Sequence, residues 1–220
     1  TAVLTVTDNE GNTDTCSSTV TVNSTGGGRI TNNLIAYYTF TEGSGSTVHD
    51  YSGFQAPLDL TIDDPNNVTW TGTSALTVNS GTTIRSVVGA TKIAGACAAT
   101  NEITVEAWVA PANTTQGGPS RIASMSVNTS SRNWTLGQQG NDYMSRIRTT
   151  TAGNPNGTPD LNGNNNAVTT NLQHVVFTRD VAGNWNIYVD GVLEESGNRG
   201  GNLSNWDPTY QLLLANESTN

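Results

Sequence analysis

The side chains with the capacity for chemistry are sparse and scattered along this chain. Glu102, Thr104 and Glu106 alternate in Asn-Glu-Ile-Thr-Val-Glu, so in a strand all three share one face. Two carboxylates on one face could act as acid and nucleophile in glycosidic-bond cleavage, which with retention needs them about 5–5.5 Å apart. The position between them, where a further acid is expected, is Thr104, and two solvated carboxylates are the preferred reading. His49 and His174 are far apart, and no serine or cysteine nucleophile motif accompanies either, so a catalytic triad is unsupported. Asp160-Leu-Asn162-Gly-Asn164 and Asp8-Asn-Glu10-Gly-Asn12 set oxygen donors at alternate positions, as calcium loops do. Neither continues to the bidentate Glu of an EF-hand, so both read as turns. A sugar ligand asks for an exposed aromatic platform beside planar hydrogen-bonding groups, because it offers apolar C–H faces and a hydroxyl rim. Trp206, in Asn-Trp-Asp-Pro, and Tyr143, near Arg146 and Arg148, fit that description, whereas Trp108 and Trp185 fall inside strand text and are assigned to the core.

These groups must be positioned by strands. Charged residues make up 12% of the chain, well under the roughly 25% usual in soluble domains, and Thr, Asn, Gly and Ser replace them. β-Branched Thr and Val favour pleated strands while Gly, Asn and Asp favour turns, so the composition leans to all-β. The 220 residues suffice for one large sandwich with an appendage. The net charge of -9, with Lys92 the only lysine, excludes a nucleic-acid partner, since no cations are clustered to displace counterions from phosphates. No apolar run reaches the roughly 20 residues that span a bilayer, so membrane insertion of this segment is not expected.

Residues 3–7 read Val-Leu-Thr-Val-Thr and residues 19–22 read Thr-Val-Thr-Val, two alternating strands around a polar turn at Asp8–Asn12. Such a hairpin is marginal alone and must complete a sheet elsewhere. Residues 23–33 have the Gly/Ser/Asn composition of a flexible linker, which places a domain boundary there. From Leu34 onward short strands alternate with turn signals, and strands are expected over 34–40, 56–62, 67–71, 75–78, 103–110, 121–127, 133–138, 143–149, 173–179, 184–189, 192–195 and 210–215. That series argues for a sandwich or jelly roll. Asp190-Gly191 is expected as a tight turn with positive φ. Ser86–Thr100, with Val87, Val88, Ala90, Ile93, Ala94 and Cys97, is expected to hold a short helix that plugs one end. Cys16 and Cys97 are the only cysteines. Either they pair with each other, or Cys97 is a buried small hydrophobe and Cys16 has an upstream partner.

Several segments resemble the laminin-G-like jelly roll of the concanavalin-A-like superfamily. They are Leu34-Ile-Ala-Tyr-Tyr-Thr-Phe-Thr-Glu-Gly-Ser-Gly, His49-Asp-Tyr-Ser-Gly53, Ile103-Thr-Val-Glu-Ala-Trp-Val109, and His174-Val-Val-Phe-Thr-Arg179 leading to Ile187-Tyr-Val-Asp-Gly191. Residues 1–22 resemble the closing strands of a PKD-type immunoglobulin-like domain. The fold implied is an all-β concanavalin-A-like jelly-roll sandwich with a short helix over 34–220, preceded by a β-hairpin over 1–22 and a linker over 23–33.

The resemblance implies a non-catalytic binding or adhesion module of a secreted or cell-surface protein. Its partner would be a glycan or a surface protein, contacted through Tyr143, Arg146, Arg148 and Trp206. It also implies a structural calcium ion (Ca2+), with Asp50 of the Asp-Tyr-Ser-Gly loop as ligand, the alternative for Asp50 being an Asx-turn at a strand end. The family ends with a further strand that this sequence does not include, which leaves an unpaired edge that copies of the chain could complete. A structural subunit of an extracellular filament, sheath or virion surface is therefore the alternative, with a jelly-roll glycoside hydrolase third.

Overall fold

A computed structural model describes residues 30–151 and 154–217 in full and residues 2–7 and 13–18 by their backbone. The chain divides into two compact units, Thr1–Asn33 and Leu34–Asn220. In the first, β1 (Ala2–Thr7) pairs antiparallel with β2 (Thr13–Ser18), Ala2 opposite Ser18 and Thr7 opposite Thr13. A strand over 13–18 was not expected from the sequence. The polar text Thr-Asp-Thr-Cys-Ser-Ser serves as strand, despite its weak pattern, because β1 supplies a paired backbone neighbour in register along its whole length. Residues 8–12 and 19–22 lie outside the described residues.

The second unit begins with β3 (Thr47–Val48) and β4 (Leu60–Ile62), then a 3-10 turn at Pro65–Asn67, β5 (Val68–Thr71), β6 (Ala75–Val78) and β7 (Ile84–Ser86). The helix α1 (Thr91–Thr100) follows, then β8 (Ile103–Val109), β9 (Gln116–Asn128), β10 (Ser131–Gly140), β11 (Asp142–Ile147) and β12 (Leu161–Asn162). Last come β13 (Gln173–Arg179), β14 (Asn184–Val189), β15 (Val192–Asn198) and β16 (Gln211–Leu214). One antiparallel sheet has eight strands in the order β12-β11-β10-β9-β16-β7-β4-β3, and the other has four in the order β15-β14-β13-β8. Their facing residues form the core: Leu60, Ile84, Met125, Trp134, Leu136, Ile147 and Leu212 from the first, and Ile103, Val175, Phe177, Trp185, Ile187 and Val189 from the second. Alternation along β13 is complete: Gln173, Val175, Phe177 and Arg179 are buried, and the residues between them are half-buried. This is an all-β jelly-roll sandwich with one short helix.

The helix is shorter than the stretch expected for it, because Ser86 pairs with Leu60 in the sheet and Val87 and Val88 are exposed. Gly89 then passes so close to the 208–209 backbone that a Cβ would lie 2.5 Å from the Pro208 carbonyl oxygen. α1 buries Ile93, Ala94 and Cys97 on the core and ends at Asn101 (φ 62°), whose N–H closes on the Cys97 carbonyl. Cys97 is free, and burial pushes its thiol up to about 12. The Asp190-Gly191 turn has φ values of 50° and 82°, as expected.

The expected first strand, 34–40, joins no ladder among the described residues. Ile35, Ala36, Tyr38 and Phe40 nevertheless pack against the core as half-buried side chains. β8 is an edge strand of its sheet, and its inward Val105, Ala107 and Val109 stay half-buried, while Val175 and Phe177 one strand away are sealed. Apolar text at 34–40 supplies side chains to the core, while its backbone accepts an isolated bond from Tyr51 N–H at the Tyr37 carbonyl (2.8 Å) and builds no ladder among the described residues.

Candidate functional site

The aromatic platform expected at Trp206 and Tyr143 is not exposed. Trp206 is 6% exposed, and its indole N–H donates to the Arg148 carbonyl at 2.7 Å. Tyr143 is 1% exposed, its hydroxyl bonds Gln173 Oε1 at 3.0 Å, and burial pushes the phenol up to about 12. Arg146, on the opposite face of β11 from Tyr143, is clamped by Asp160 through Nε at 2.7 Å and Nη2 at 3.1 Å. Arg148 is half-buried and tied through its backbone N–H to Asn133. Tyr143 secures the 167–169 loop at the start of β11 through Gln173, whereas Trp206 holds the chain at Arg148 beyond its end: tertiary packing closes over aromatics that local sequence places near turns. Asp160 is engaged by that arginine, and Leu161–Asn162 pairs with Met144 and Ser145.

Asp50 is buried, and its carboxylate is saturated. Oδ1 accepts the N–H groups of Tyr37 (3.1 Å) and Ser52 (2.9 Å), while Oδ2 accepts that of Leu58 (3.0 Å) and the ammonium of Lys92. Lys92 also donates to Phe54 O at 2.9 Å and Ser52 Oγ at 3.3 Å. A calcium ion at Asp50 would compete with Lys92 for these oxygens. No cluster of three or more His, Cys, Asp or Glu side chains suited to a metal occurs among the described residues.

The outer face of the four-stranded sheet carries what the loops lack. Trp108, assigned to the core from its strand context, is 65% exposed. On β8 the outward residues are Thr104, Glu106 and Trp108. Opposite them on β13 stand Thr178, Val176 and His174, and opposite those on β14 stand Asn186 and Tyr188. The His174 ring stacks on the Trp108 indole with centroids 4.8 Å apart and planes at 23°, and His174 Nε2 lies 3.5 Å from Glu106 Oε2. The His174 backbone N–H donates to Asp190 Oδ1 at 2.9 Å, which brings the β14–β15 turn alongside. Leu172, Val192 and Leu193, all exposed, sit at this end of the sheet. An indole with one face on an imidazole and most of its area in solvent, rimmed by a carboxylate, a phenol and an amide, can hold a flat, partly apolar polar ligand. Alternation alone could have found it: Trp108 shares parity with Glu106 and Thr104, so a strand that sends Val105 and Val109 inward sends Trp108 outward.

The carboxylates that share this face are poorly spaced for hydrolysis. Glu102 and Glu106 are four strand residues apart, a rise of about 13 Å, against the roughly 5–9.5 Å that glycosidases use. A second concavity, a polar cleft of about 430 Å³ between Val78–Thr82 and Gln116–Arg121, holds no aromatic side chain, and Arg121 there is ion-paired to Glu217 at 3.0 Å. The Trp108 face is the better candidate because it combines a stacked, largely exposed indole with polar rim groups, which the cleft lacks.

Two stacked antiparallel sheets in jelly-roll order place the molecule in the class of lectin-like β-sandwiches. The Laminin_G_3 model, of the Concanavalin A-like lectin/glucanases superfamily, matches residues 86–220, and the chain belongs to this family. No curated protein matches the sequence. Among solved structures it is similar to the binding domain of botulinum neurotoxin serotype D/C, with a TM-score of 0.59 at 15% identity over 87% of this chain and 45% of that one. The same domain in complex with rat synaptotagmin II matches with a TM-score of 0.59 at 15% identity, over 86% of this chain and 45% of that one. A botulinum neurotoxin type C structure, described as interacting with two ganglioside molecules, matches with a TM-score of 0.59 at 13% identity, over 87% and 44%. This chain spans under half the length of each. No helix of the described residues is long and apolar enough to cross a membrane.

Proposed function

We propose that Leu34–Asn220 is a non-catalytic glycan-binding module of a secreted or cell-surface protein, with the outer face of β8, β13, β14 and β15 as its binding surface. The observation that carries this reading is Trp108, a large aromatic 65% exposed on a rigid strand and braced by His174. Solvent exposure of an indole has no folding rationale, whereas a pyranose laid against it would bury apolar area on both partners. The ganglioside-interacting and synaptotagmin-bound neurotoxin structures support binding to a glycan or surface protein as the use of such a sandwich. Glycan-array screening followed by calorimetry tests the assignment. Trp108→Ala is expected to weaken binding about tenfold or more, a loss of ~1.4 kcal/mol, while unfolding stability stays within about 0.5 kcal/mol, as for exposed sites generally. Full affinity in Trp108→Ala would move the site elsewhere.

The β8 edge supports a second reading, a subunit that associates through strand addition. Its inward Val105, Ala107 and Val109 are half-buried, and an added strand would cover them. Light scattering on the eluting protein discriminates, since a strictly monomeric species at high concentration is incompatible with assembly.

A further inference from the structure

On the reading that the Trp108 face binds glycans, we propose that its ligand class is the amino sugar, a pyranoside carrying a free, protonated amino group. The argument is the charge inventory of the face. Glu102, Glu106 and Asp190 have the outward parity of Trp108 and Tyr188, so β8 and the end of β14 contribute carboxylates; on β13 the only titratable outward group is His174. On β15, Glu194 turns away to Asn165 at 3.2 Å, and Glu195 accepts the Ser196 N–H.

Among the described residues the permanent cations are buried, paired or carried next to the other sheet. Lys92, Arg132, Arg179 and Arg199 are buried. Arg179 donates to the Gly201 carbonyl at 2.7 Å, and Arg199 donates to those of Ile147 and Gly157 while lying 4.6 Å over the Trp185 ring inside the core. Arg85, Arg121 and Arg146 pair with Asp63, Glu217 and Asp160. Arg148 is half-buried and directly follows β11 of the other sheet. In a chain of net charge -9, the platform therefore sits in a negative field, and among the described residues no guanidinium or ammonium stands on it to receive a carboxylate or sulfate.

An ammonium gains twice on such a surface. It is attracted to the indole face within about 6 Å of the ring centre, and charge-assisted hydrogen bonds to carboxylates on the same face are stronger than neutral ones. The pyranose ring supplies the C–H face that the rest of the indole covers. An N-acetylated sugar keeps the stacking and loses the charge; a sialylated one brings the wrong sign.

The test is calorimetry of the whole chain with three probes: a glucosamine tetramer, an N-acetylglucosamine tetramer and a sialylated oligosaccharide of similar length. The expected order is the free amine about tenfold tighter than the acetylated form, with no measurable binding of the sialylated one. Added salt should weaken only the amine, and Glu106→Gln should bring it down towards the acetylated value. Equal affinity for amine and acetylated tetramers, both lost in Trp108→Ala, would keep the glycan reading and overturn the charge inference. Preference for the sialylated probe would do the same. A lysine-rich peptide that binds where no tetramer does would overturn both.

Discussion

Lys92 is the only lysine of the chain, and its ammonium is surrounded by oxygens of Asp50, Ser52 and Phe54, the donors a hard cation would take. Burial by itself would push the Asp50 carboxyl up. The Lys92 bond, with the Leu58 and Ser52 N–H groups, outweighs burial and holds the carboxyl below its ordinary range. Removing one member of a buried pair leaves the other uncompensated, so Lys92→Met is expected to cost about 3–5 kcal/mol in urea unfolding at neutral pH. The folded Asp50 pKa lies below the unfolded value of about 3.9, so its contribution is complete above that pH and is lost as pH falls through the folded value. The gap between wild type and Lys92→Met should accordingly narrow below about pH 4. An equal gap at neutral and acid pH would show that the pair is not its source.

At the scale of elements, close backbone approaches fix the strand ends. Gly183 has φ 85°, its N–H closes the turn on Asp180, and its carbonyl accepts from Arg199, whose own carbonyl oxygen would lie 2.5 Å from an added Cβ. Gly183→Ala therefore combines left-handed strain with a backbone collision, and a loss on the order of 1–3 kcal/mol is expected in thermal or urea unfolding. An unchanged midpoint would mean that the 180–184 turn relaxes freely. Strands from β8 onward were largely legible because Thr/Val alternation and Asp-Gly turns coincide there, as at Trp185–Glu194. Residues 34–40 have equally good strand text but no ladder, because pairing needs a neighbour that local pattern cannot supply. β7 was not expected as a strand, and only its Ser86 falls in the stretch read as helix; three residues carry too little periodicity.

Over the whole molecule, net charge opposes the association that the β8 edge invites. At -9 the chain repels its copies at long range, and salt screens that repulsion within about 8 Å at physiological ionic strength. If strand addition through β8 occurs, the mass measured by light scattering is expected to rise with both salt and protein concentration. A Val105→Lys substitution at the half-buried inward face should suppress it. Association that salt dissolves would instead point to ion pairs between copies.

The residues by themselves determined the sandwich, because alternation with period two, turn chemistry and a scarcity of charge all depend on neighbours a few positions away. They also determined the acidic field, which is a sum over side chains whatever their arrangement. Tertiary structure decided exposure: Trp206 and Tyr143 are buried at opposite ends of β11, while Trp108 faces water. Alternation along β8 already sets Trp108 on the face opposite Val105 and Val109, but which segments close over Trp206 and Tyr143 depends on contacts far apart in the chain, and no local pattern contains them. The same holds for Asp50, whose partner Lys92 comes from a helix 42 residues away.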